Sequence, residues 1–250
     1  MADTPWVGFN EDKLYLQSGQ FSSTVKTSFW NIVVDSQAAG ITWDGTNTPW
    51  CGASADKLYL QSGQFTSTLK TSEYIGGVTD APTGISWDGT NTSWSGYYDD
   101  KLFLQSGQFS STVKTSQYVG DIEIRLMDVS YDGTNSPFVG FDGDKLYLQS
   151  GQFSSTLKTS QDISGTNGWP RGISWDGTNT PWCGSSPTNK LFLQSGQFSS
   201  TLKESLDVAG ISFSPYAVCT NDVEARISGP SFIISWAKNS QIIGQGTYVS

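Results

Sequence analysis

Apolar and polar residues alternate over short stretches of the chain, and no stretch shows the 3.6-residue period of an amphipathic helix. In Ile85–Trp87 a serine separates two apolar residues, and in Leu102–Leu104 the two leucines share one face of a strand while the phenylalanine points to the other. The turn signals Asp88–Gly89 and Ser106–Gly107 follow these stretches. The pattern predicts short antiparallel strands joined by tight turns, and therefore an all-β protein.

An internal repeat dominates the sequence. The string LQSGQF occurs five times without change, beginning at Leu16, Leu60, Leu104, Leu148 and Leu193, so that successive copies are 44, 44, 44 and 45 residues apart. Each unit holds four predicted strands, the fourth of which is expected at Phe109–Lys114 in the third copy. A period of about 40–45 residues with four antiparallel strands is typical of a propeller blade. The sequence predicts a five-bladed β-propeller with four antiparallel strands per blade.

The two ends of the repeat region predict how the ring closes. The first unit lacks its G-I-S-W-D-G strand, because the chain enters directly at T-P-W-V-G. After the fifth unit, Gly210–Phe213 repeats the pattern of Gly84–Trp87, so we expect this C-terminal-side strand to complete the first blade. Closure would remove the exposed sheet edges that invite aggregation. The predicted domains are a propeller over residues 4–217 and a C-terminal β extension over residues 218–250.

Three strings in each unit, G-I-x-W-D-G-T, W-x-G and D-K-L-Y, are similar to the blade pattern of bacterial and phage β-propellers with short repeats. Five near-identical units also resemble the five-bladed lectins of the tachylectin type. The segment from Gly229 to Ser250 resembles the opening of the trimeric jelly-roll domains of phage fibres, through Pro230, Phe232 and Gln241. These resemblances imply a virion protein assembled in the host cytoplasm, and the start MADTPWVGFN predicts no signal peptide.

Composition and charge narrow the function. With 14 basic against 23 acidic side chains the net charge is -9, which disfavours nucleic acid and anionic membranes as partners. No stretch approaches the roughly 18 apolar residues of a membrane span. The absence of histidine removes the usual general base and most zinc sites. Cleavage of a glycan would need two carboxylates in one pocket, but almost all acidic residues lie in repeated turns. The sequence therefore predicts a protein that is not an enzyme.

The repeated polar and thiol residues favour structural roles. The D-G-T-N segments could offer oxygen ligands to Ca²⁺, but each supplies at most one carboxylate, so tight turns are favoured and no metal or cofactor is predicted. The adjacent Asp-Lys pairs, such as Asp56 and Lys57, are interpreted as polar residues at strand entries, with a ligand clamp as the alternative. Cys51 and Cys183 occupy a strand position that holds small residues in other blades, which predicts buried thiols.

Two sets of aromatic residues recur at fixed positions in the units, which is what packing between blades requires. The first set is Trp43, Trp87, Tyr131 and Trp175, and the second is Trp6, Trp50, Trp94, Phe138 and Trp182.

The variable connections carry aromatic residues that have no obvious counterpart in other blades. Exposed aromatic rings of this kind stack on sugars, whereas capping of the local blade is the alternative. The candidate ligand-binding residues are Trp30, Tyr74, Tyr97, Tyr98, Tyr118, Trp169 and Arg171.

The predicted function is that of a phage adhesin whose blade loops recognise a host-surface glycan at several similar, weak sites. The alternatives are a structural virion component and a free multivalent lectin. The tail is rich in β-branched and aromatic residues, with Phe232, Ile234 and Trp236 on one face of a predicted strand. We expect these three residues to assemble the chain with copies of itself or with other virion proteins.

Overall fold

The computed structural model describes residues 4–8, 13–17, 25–30, 34–63, 69–109, 113–153, 157–186, 188–198, 202–210, 214–219, 233–238 and 241–247, with backbone only for 186 and the last two segments. Every regular element in these ranges is a β-strand. The prediction of an all-β protein is confirmed. No helix in the described ranges is long and apolar enough to cross a membrane.

Twenty of the strands form five sheets of four antiparallel strands, which we number as blades 1 to 5. From inner to outer strand, blade 1 contains β20 (Pro215–Val218), β1 (Thr4–Gly8), β2 (Lys13–Gln17) and β3 (Val25–Trp30); blade 2 contains β4 (Ala38–Ile41), β5 (Asn47–Gly52), β6 (Lys57–Ser62) and β7 (Leu69–Tyr74); blade 3 contains β8 (Pro82–Trp87), β9 (Asn91–Gly96), β10 (Lys101–Ser106) and β11 (Val113–Tyr118); blade 4 contains β12 (Leu126–Val129), β13 (Asn135–Gly140), β14 (Lys145–Ser150) and β15 (Leu157–Asp162); blade 5 contains β16 (Gly168–Ile173), β17 (Asn179–Ser186), β18 (Lys190–Ser195) and β19 (Leu202–Asp207).

The blades close into a ring around a central axis. The inner strands β4, β8, β12, β16 and β20 contact one another in that order, and β20 returns to contact β4. The five-bladed propeller is therefore confirmed.

The ring is closed from the C-terminal side, as expected, but by a later segment. Strand β20 pairs antiparallel with β1, with Trp6 opposite Val218, and the N–H of Cys219 donates to the carbonyl of Pro5 at 2.9 Å. The expected segment Gly210–Phe213 is not this strand, since Gly210 lies in a turn and the other three residues are outside the described ranges. Burial selects the strand, because Val218 packs in one cluster with Trp6.

The main core is a stacked aromatic pair that is repeated in all five blades. The second-strand residues Trp6, Trp50, Trp94, Phe138 and Trp182 are each at most 1% exposed. Each stacks on the Tyr or Phe opposite it in the third strand, and the Trp94–Phe103 ring centroids are 4.0 Å apart. Offset stacking adds to the free energy of burial. The first-strand set that was also expected in the core, Trp43, Trp87, Tyr131 and Trp175, is only half-buried.

The outer strands begin later than the sequence pattern predicted. In blade 3 the strand is β11, Val113–Tyr118, and not Phe109–Lys114. Gly107 and Phe109 both have left-handed backbones, with φ of 67° and 57°, which cannot continue a strand. The turn is thereby lengthened, and the outer strand extends as far as Tyr118.

The thiols are buried as predicted. Cys51, Cys183 and Cys219 are free cysteines within the core. Burial, followed by the charge of Asp128, raises the pKa of each of the three thiols. They are therefore protonated and poorly reactive in the folded protein.

Beyond the ring the described backbone contains one β-hairpin, formed by β21 (Ile233–Lys238) and β22 (Gln241–Thr247). In its register Ile234 lies opposite Gly246 and Trp236 opposite Gly244. Phe232, the third predicted assembly residue, lies outside the described residues.

Candidate ligand-binding surface

Strand order divides the loops of the ring between two faces. In each antiparallel sheet the turn after the first strand and the turn after the third lie at one end, whereas the turn after the second strand and the connection to the next blade lie at the other. The first end carries the D-G-T-N and Q-S-G-Q strings, and we call it the repeated face. The second end carries the divergent loops, and we call it the variable face.

On the repeated face each D-G-T-N aspartate closes its own turn. The Asp88 Oδ1 accepts the N–H groups of Thr90 and Asn91, both at 2.6 Å, and its Oδ2 accepts the Asn91 side-chain amide at 3.1 Å. Asp44, Asp132 and Asp176 repeat these bonds. The carboxylates are thus engaged by the protein, and no group of metal-ligating residues occurs in the described part of the chain.

The same aspartates join neighbouring blades. The Gln152 side chain of blade 4 donates to Asp88 of blade 3 at 2.6 Å, and Gln108 of blade 3 donates to Asp44 of blade 2 at 2.5 Å. Gln197 repeats the bond to Asp132. Burial alone would raise the pKa of Asp88, but the bonds from Asn91, Gln152 and Thr90 outweigh it and lower the pKa. The verbatim Q-S-G-Q and D-G-T-N strings are therefore the two halves of one interblade bond.

On the variable face each blade fixes its loop with a different buried polar side chain. Residues 35, 79, 123 and 167 are equivalent by the repeat, and they are Asp, Thr, Glu and Asn. In blade 4 the Glu123 carboxylate accepts the N–H groups of Asp142 and Gly143 at 3.1 and 3.2 Å and the Tyr147 hydroxyl at 2.9 Å. Burial raises the pKa of Glu123, and these bonds oppose that effect. In blade 5 Asn167 donates instead to the Thr188 carbonyl at 2.7 Å.

A second contact on the variable face runs between blades and ends on the main chain. Asp100 of blade 3 accepts the N–H of Arg125 of blade 4 at 2.6 Å, and Asp144 of blade 4 accepts the N–H of Trp169 of blade 5 at 2.9 Å. Asp56 and Ala81 repeat the bond at 2.7 Å. The aspartates of the Asp-Lys pairs thus link blades, beyond the strand-entry polarity expected of them. Because the acceptor binds a main-chain group, the side chain at the donor position is free to vary.

The predicted ligand-binding residues all lie at the variable end of their strands or in its loops. Five of the seven are exposed: Trp30 61%, Tyr74 66%, Tyr98 71%, Tyr118 56% and Trp169 46%. Tyr97 and Arg171 are partly buried.

Trp30, Tyr74 and Tyr118 are at equivalent positions, so the expectation that they have no counterparts in other blades is wrong. They end the outer strands of blades 1, 2 and 3, each opposite a repeated lysine, and Lys13 Nζ lies 5.4 Å from the centroid of Trp30. Blades 4 and 5 place Asp162 and Asp207 at this position. The late start of the outer strands concealed the equivalence. The rim of the variable face is therefore aromatic on three blades and acidic on two.

Tyr97 and Tyr98 form a separate pair in the loop after β9. Their rings meet edge to face, with centroids 4.9 Å apart. Tyr97 packs against the core, whereas Tyr98 is the more exposed of the two. Tyr97 thus caps its blade, as the alternative interpretation held, and Tyr98 offers a free ring.

Trp169 and Arg171 belong to a cluster at the junction of blades 4 and 5. Trp169 stacks on Phe141 with centroids 5.2 Å apart, and the Arg171 guanidinium lies 4.7 Å from the same ring. Arg125 also contacts Phe141, at 4.4 Å, and forms an ion pair with Asp142. Sequence reasoning missed Phe141 and Arg125. A usable signal existed, because Arg125 and Arg171 are the two arginines of the repeat region and both stand outside its repeated strings.

The cluster continues to the ring axis, where the inner strands differ most. The equivalent inner-strand residues are Ala39, Thr83, Met127, Arg171 and Tyr216, all different. Arg171 lies 4.9 Å from the Tyr216 ring and donates to Ser185 Oγ at 3.1 Å. Burial raises the pKa of Tyr216 to about 12, although the Arg171 charge lowers it. The axis therefore presents a single asymmetric site, unlike the repeated rim.

One inner strand carries a buried carboxylate. Asp128 stands where other blades have glycine or alanine, and it is 2% exposed. Its oxygens accept the N–H groups of Ile173 at 2.9 Å, Val129 at 2.8 Å and Ile85. Burial raises the pKa of Asp128, and these three bonds oppose it. The side chain thus ties the inner strands of blades 3, 4 and 5 together.

Comparison with known proteins places the fold. No family model and no curated protein matches the chain. A chain of the crystal structure of a nidogen/laminin complex is similar over 88% of this chain and 98% of that one, with 12% identity and a TM-score of 0.57. The glutaminyl cyclase of Myxococcus xanthus is similar over 77% and 76%, with 12% identity and a TM-score of 0.51. At this level of identity the similarity shows the propeller fold alone.

Proposed function

We propose that this protein is a non-enzymatic binding protein whose variable face recognises a ligand on another surface. The observation that carries the proposal is the division of the ring. Identical bonds build the repeated face, while exposed aromatic side chains and both arginines of the ring gather at the opposite face. Functional residues are commonly held on loops above a rigid scaffold.

A glycan is the ligand class that these side chains suit best. Aromatic rings stack on the apolar faces of sugars, and Trp30, Tyr74 and Tyr118 offer three similar positions around one rim. Similar weak sites on one rigid body gain affinity through multivalency when the ligand repeats. The net charge of -9 argues against the phosphate backbone of a nucleic acid.

The biological setting that we propose is a phage particle, in which the protein acts as an adhesin for a host-surface glycan. Support comes from the resemblance of the blade strings and of the tail from Gly229 to Ser250 to phage propellers and fibre domains. The tail would join the chain to other virion proteins or to copies of itself, through Phe232, Ile234 and Trp236.

A second candidate is a structural virion component in which the ring acts as a rigid spacer. The interblade bonds of the repeated face favour this function, because they stiffen the ring. The two proposals differ in whether the variable face must contact the host.

A glycan array and a host-cell binding assay with the intact chain test the proposal. We expect binding that is weakened at least tenfold when Trp30, Tyr74 and Tyr118 are all replaced by Ser. The matched control replaces Thr46, Thr90 and Thr134 with Ala, because these exposed residues lie on the repeated face and bond only through their N–H groups. Absence of binding by the intact chain, or cleavage of the bound glycan, would overturn the proposal.

The role of the tail is tested by the mass in solution. We expect the intact chain to be oligomeric and a chain ending at Cys219 to be monomeric at micromolar concentration. If both are monomers and equally soluble, the tail is not an assembly element.

A further inference from the structure

Positive charge is placed unevenly in this acidic protein. All ten lysines of the repeat region recur at two positions of the unit, whereas the two arginines, Arg125 and Arg171, are singular. Both arginines contact the Phe141 ring. A protein with a net charge of -9 thus concentrates its two non-repeated cations at one junction, between blades 4 and 5.

The two arginines differ in how their charge is balanced. Arg125 forms an ion pair with Asp142, and its Nε donates to the same carboxylate at 2.9 Å. Arg171 contacts neutral groups: its Nε donates to Ser185 Oγ at 3.1 Å and its Nη1 to Met127 Sδ at 3.8 Å. In the described part of the chain no carboxylate forms an ion pair with Arg171. Arg125 is therefore neutralised by its own blade, whereas Arg171 retains its charge.

The geometry around Arg171 orients its guanidinium. The Phe141 and Tyr216 rings lie 4.7 and 4.9 Å from the guanidinium carbon, and Ser185 anchors one edge. A guanidinium has five N–H donors, more than these neutral partners use, and its planar fork matches a carboxylate through two parallel bonds. Because the group is already ordered, little side-chain entropy is lost when an anion binds.

A platform for the rest of the ligand lies beside this cation. Trp169 is 46% exposed and stacks on Phe141 at 5.2 Å. Its backbone is left-handed, with φ of 59°, and is held by the bond from its N–H to Asp144. A strained conformation that neighbouring groups maintain is frequent at binding sites.

We propose that Arg171 and Trp169 bind a carboxylate-bearing sugar, such as a hexuronic acid, with its carboxylate on the Arg171 guanidinium and its ring on the Trp169 indole. This inference rests on the proposed glycan-binding function and specifies the ligand class for one site. It also separates an axial site for an acidic sugar from the three similar aromatic positions of the rim.

The test is titration of the intact chain with an oligomer of glucuronic acid, with the matching glucose oligomer and a sulfated glucose oligomer as comparison ligands. We expect the glucuronic acid oligomer to bind at least tenfold more tightly than the other two, with an affinity that falls as salt rises. Arg171→Met should lower that affinity at least tenfold, and Arg171→Lys should restore part of it. Arg125→Met is the matched control and should change it less than twofold.

The outcomes distinguish this inference from the proposed function. If neutral glycans bind through the variable face and Arg171→Met binds the glucuronic acid oligomer as tightly as the native chain does, the inference is wrong and the function stands. Tighter binding of the sulfated oligomer also overturns it. If no glycan binds, the function itself fails. Thermal unfolding of each variant identifies a loss of fold, and Arg171→Lys then keeps the test decisive.

Discussion

On the repeated face one set of contacts recurs in blade after blade, whereas on the variable face each blade holds its loop in its own way. The repeated bond from Gln152 to Asp88 joins two side chains of different blades, so a change in either requires a matching change in its neighbour. On the variable face Glu123 bonds within its own blade, and Asp144 bonds to a main-chain N–H. Substitution there is compensated locally or needs no compensation.

This difference explains how a nearly uniform repeat acquires a singular site. Bonds between side chains of neighbouring copies hold the sequence of the repeated face uniform. Bonds to main-chain groups hold the ring together on the variable face while leaving side chains such as Trp169 unrestricted. Divergence, and with it the candidate binding surface, is therefore confined to one side of the ring.

The largest expected effect is loss of ring closure. A chain ending at Ala209 lacks β20, which leaves the edge of β1 unpaired and a gap between β16 and β4. We expect it to lose cooperative unfolding, because both faces depend on the closed ring. A chain ending at Cys219 is the control and should melt within a few degrees of the intact chain, as followed by circular dichroism. Equal melting of the two shortened chains would contradict the assignment of β20.

The stacked core should matter more than the aromatic residues near the repeated face. Trp94→Ala removes a fully buried ring that stacks on Phe103, and we expect a loss of about 3–5 kcal/mol in the free energy of unfolding. Trp87→Ala, at a half-buried position of the same blade, should cost about 1–2 kcal/mol. Urea unfolding measures both. Equal losses would show that burial does not separate the two sets.

Asp128 should give stability a distinctive pH dependence. Burial raises its pKa in the folded protein, so its contribution is complete below its unfolded pKa of about 3.9 and falls as the pH rises toward the folded pKa. Asp128→Asn places an amide donor among N–H groups and should cost about 1–3 kcal/mol at low pH. We expect the advantage of the native chain over the variant to shrink from pH 4 to pH 8. A difference in unfolding free energy that is constant with pH would contradict the buried carboxylate.

The smallest expected effect is the loss of one interblade bond. Gln152→Ala removes the bond to Asp88 and should cost about 0.5–1.5 kcal/mol at neutral pH. Because the pKa of Asp88 is lowered, the stability that it supplies is present above about pH 4 and lost as the pH falls through the folded pKa. The penalty should therefore decrease below pH 3. Thr134→Ala, exposed on the same face, is the control in the same urea titrations, and a penalty that does not decrease in acid would contradict the bond.

Part of the candidate site was readable from the chain. The exposed aromatic residues were found because their segments diverge while the rest of the unit does not. Phe141 and Arg125 were missed, since neither stands beside Arg171 in sequence and only the junction of blades 4 and 5 brings them together. The equivalence of Trp30, Tyr74 and Tyr118 was missed because the left-handed residue Phe109 and its counterparts displace the start of the outer strands.

The sequence by itself determined the strands, the repeat and the number of blades, because two-residue alternation and turn dipeptides act over a few neighbouring residues and recur at a fixed period. Tertiary structure decided which segment closes the ring, since the burial of Val218 against Trp6 outweighs a match of letters at Gly210–Phe213. It also decided the two faces and the environment of Arg171. Those depend on contacts between blades, whose partners lie 14 or more residues apart along the chain.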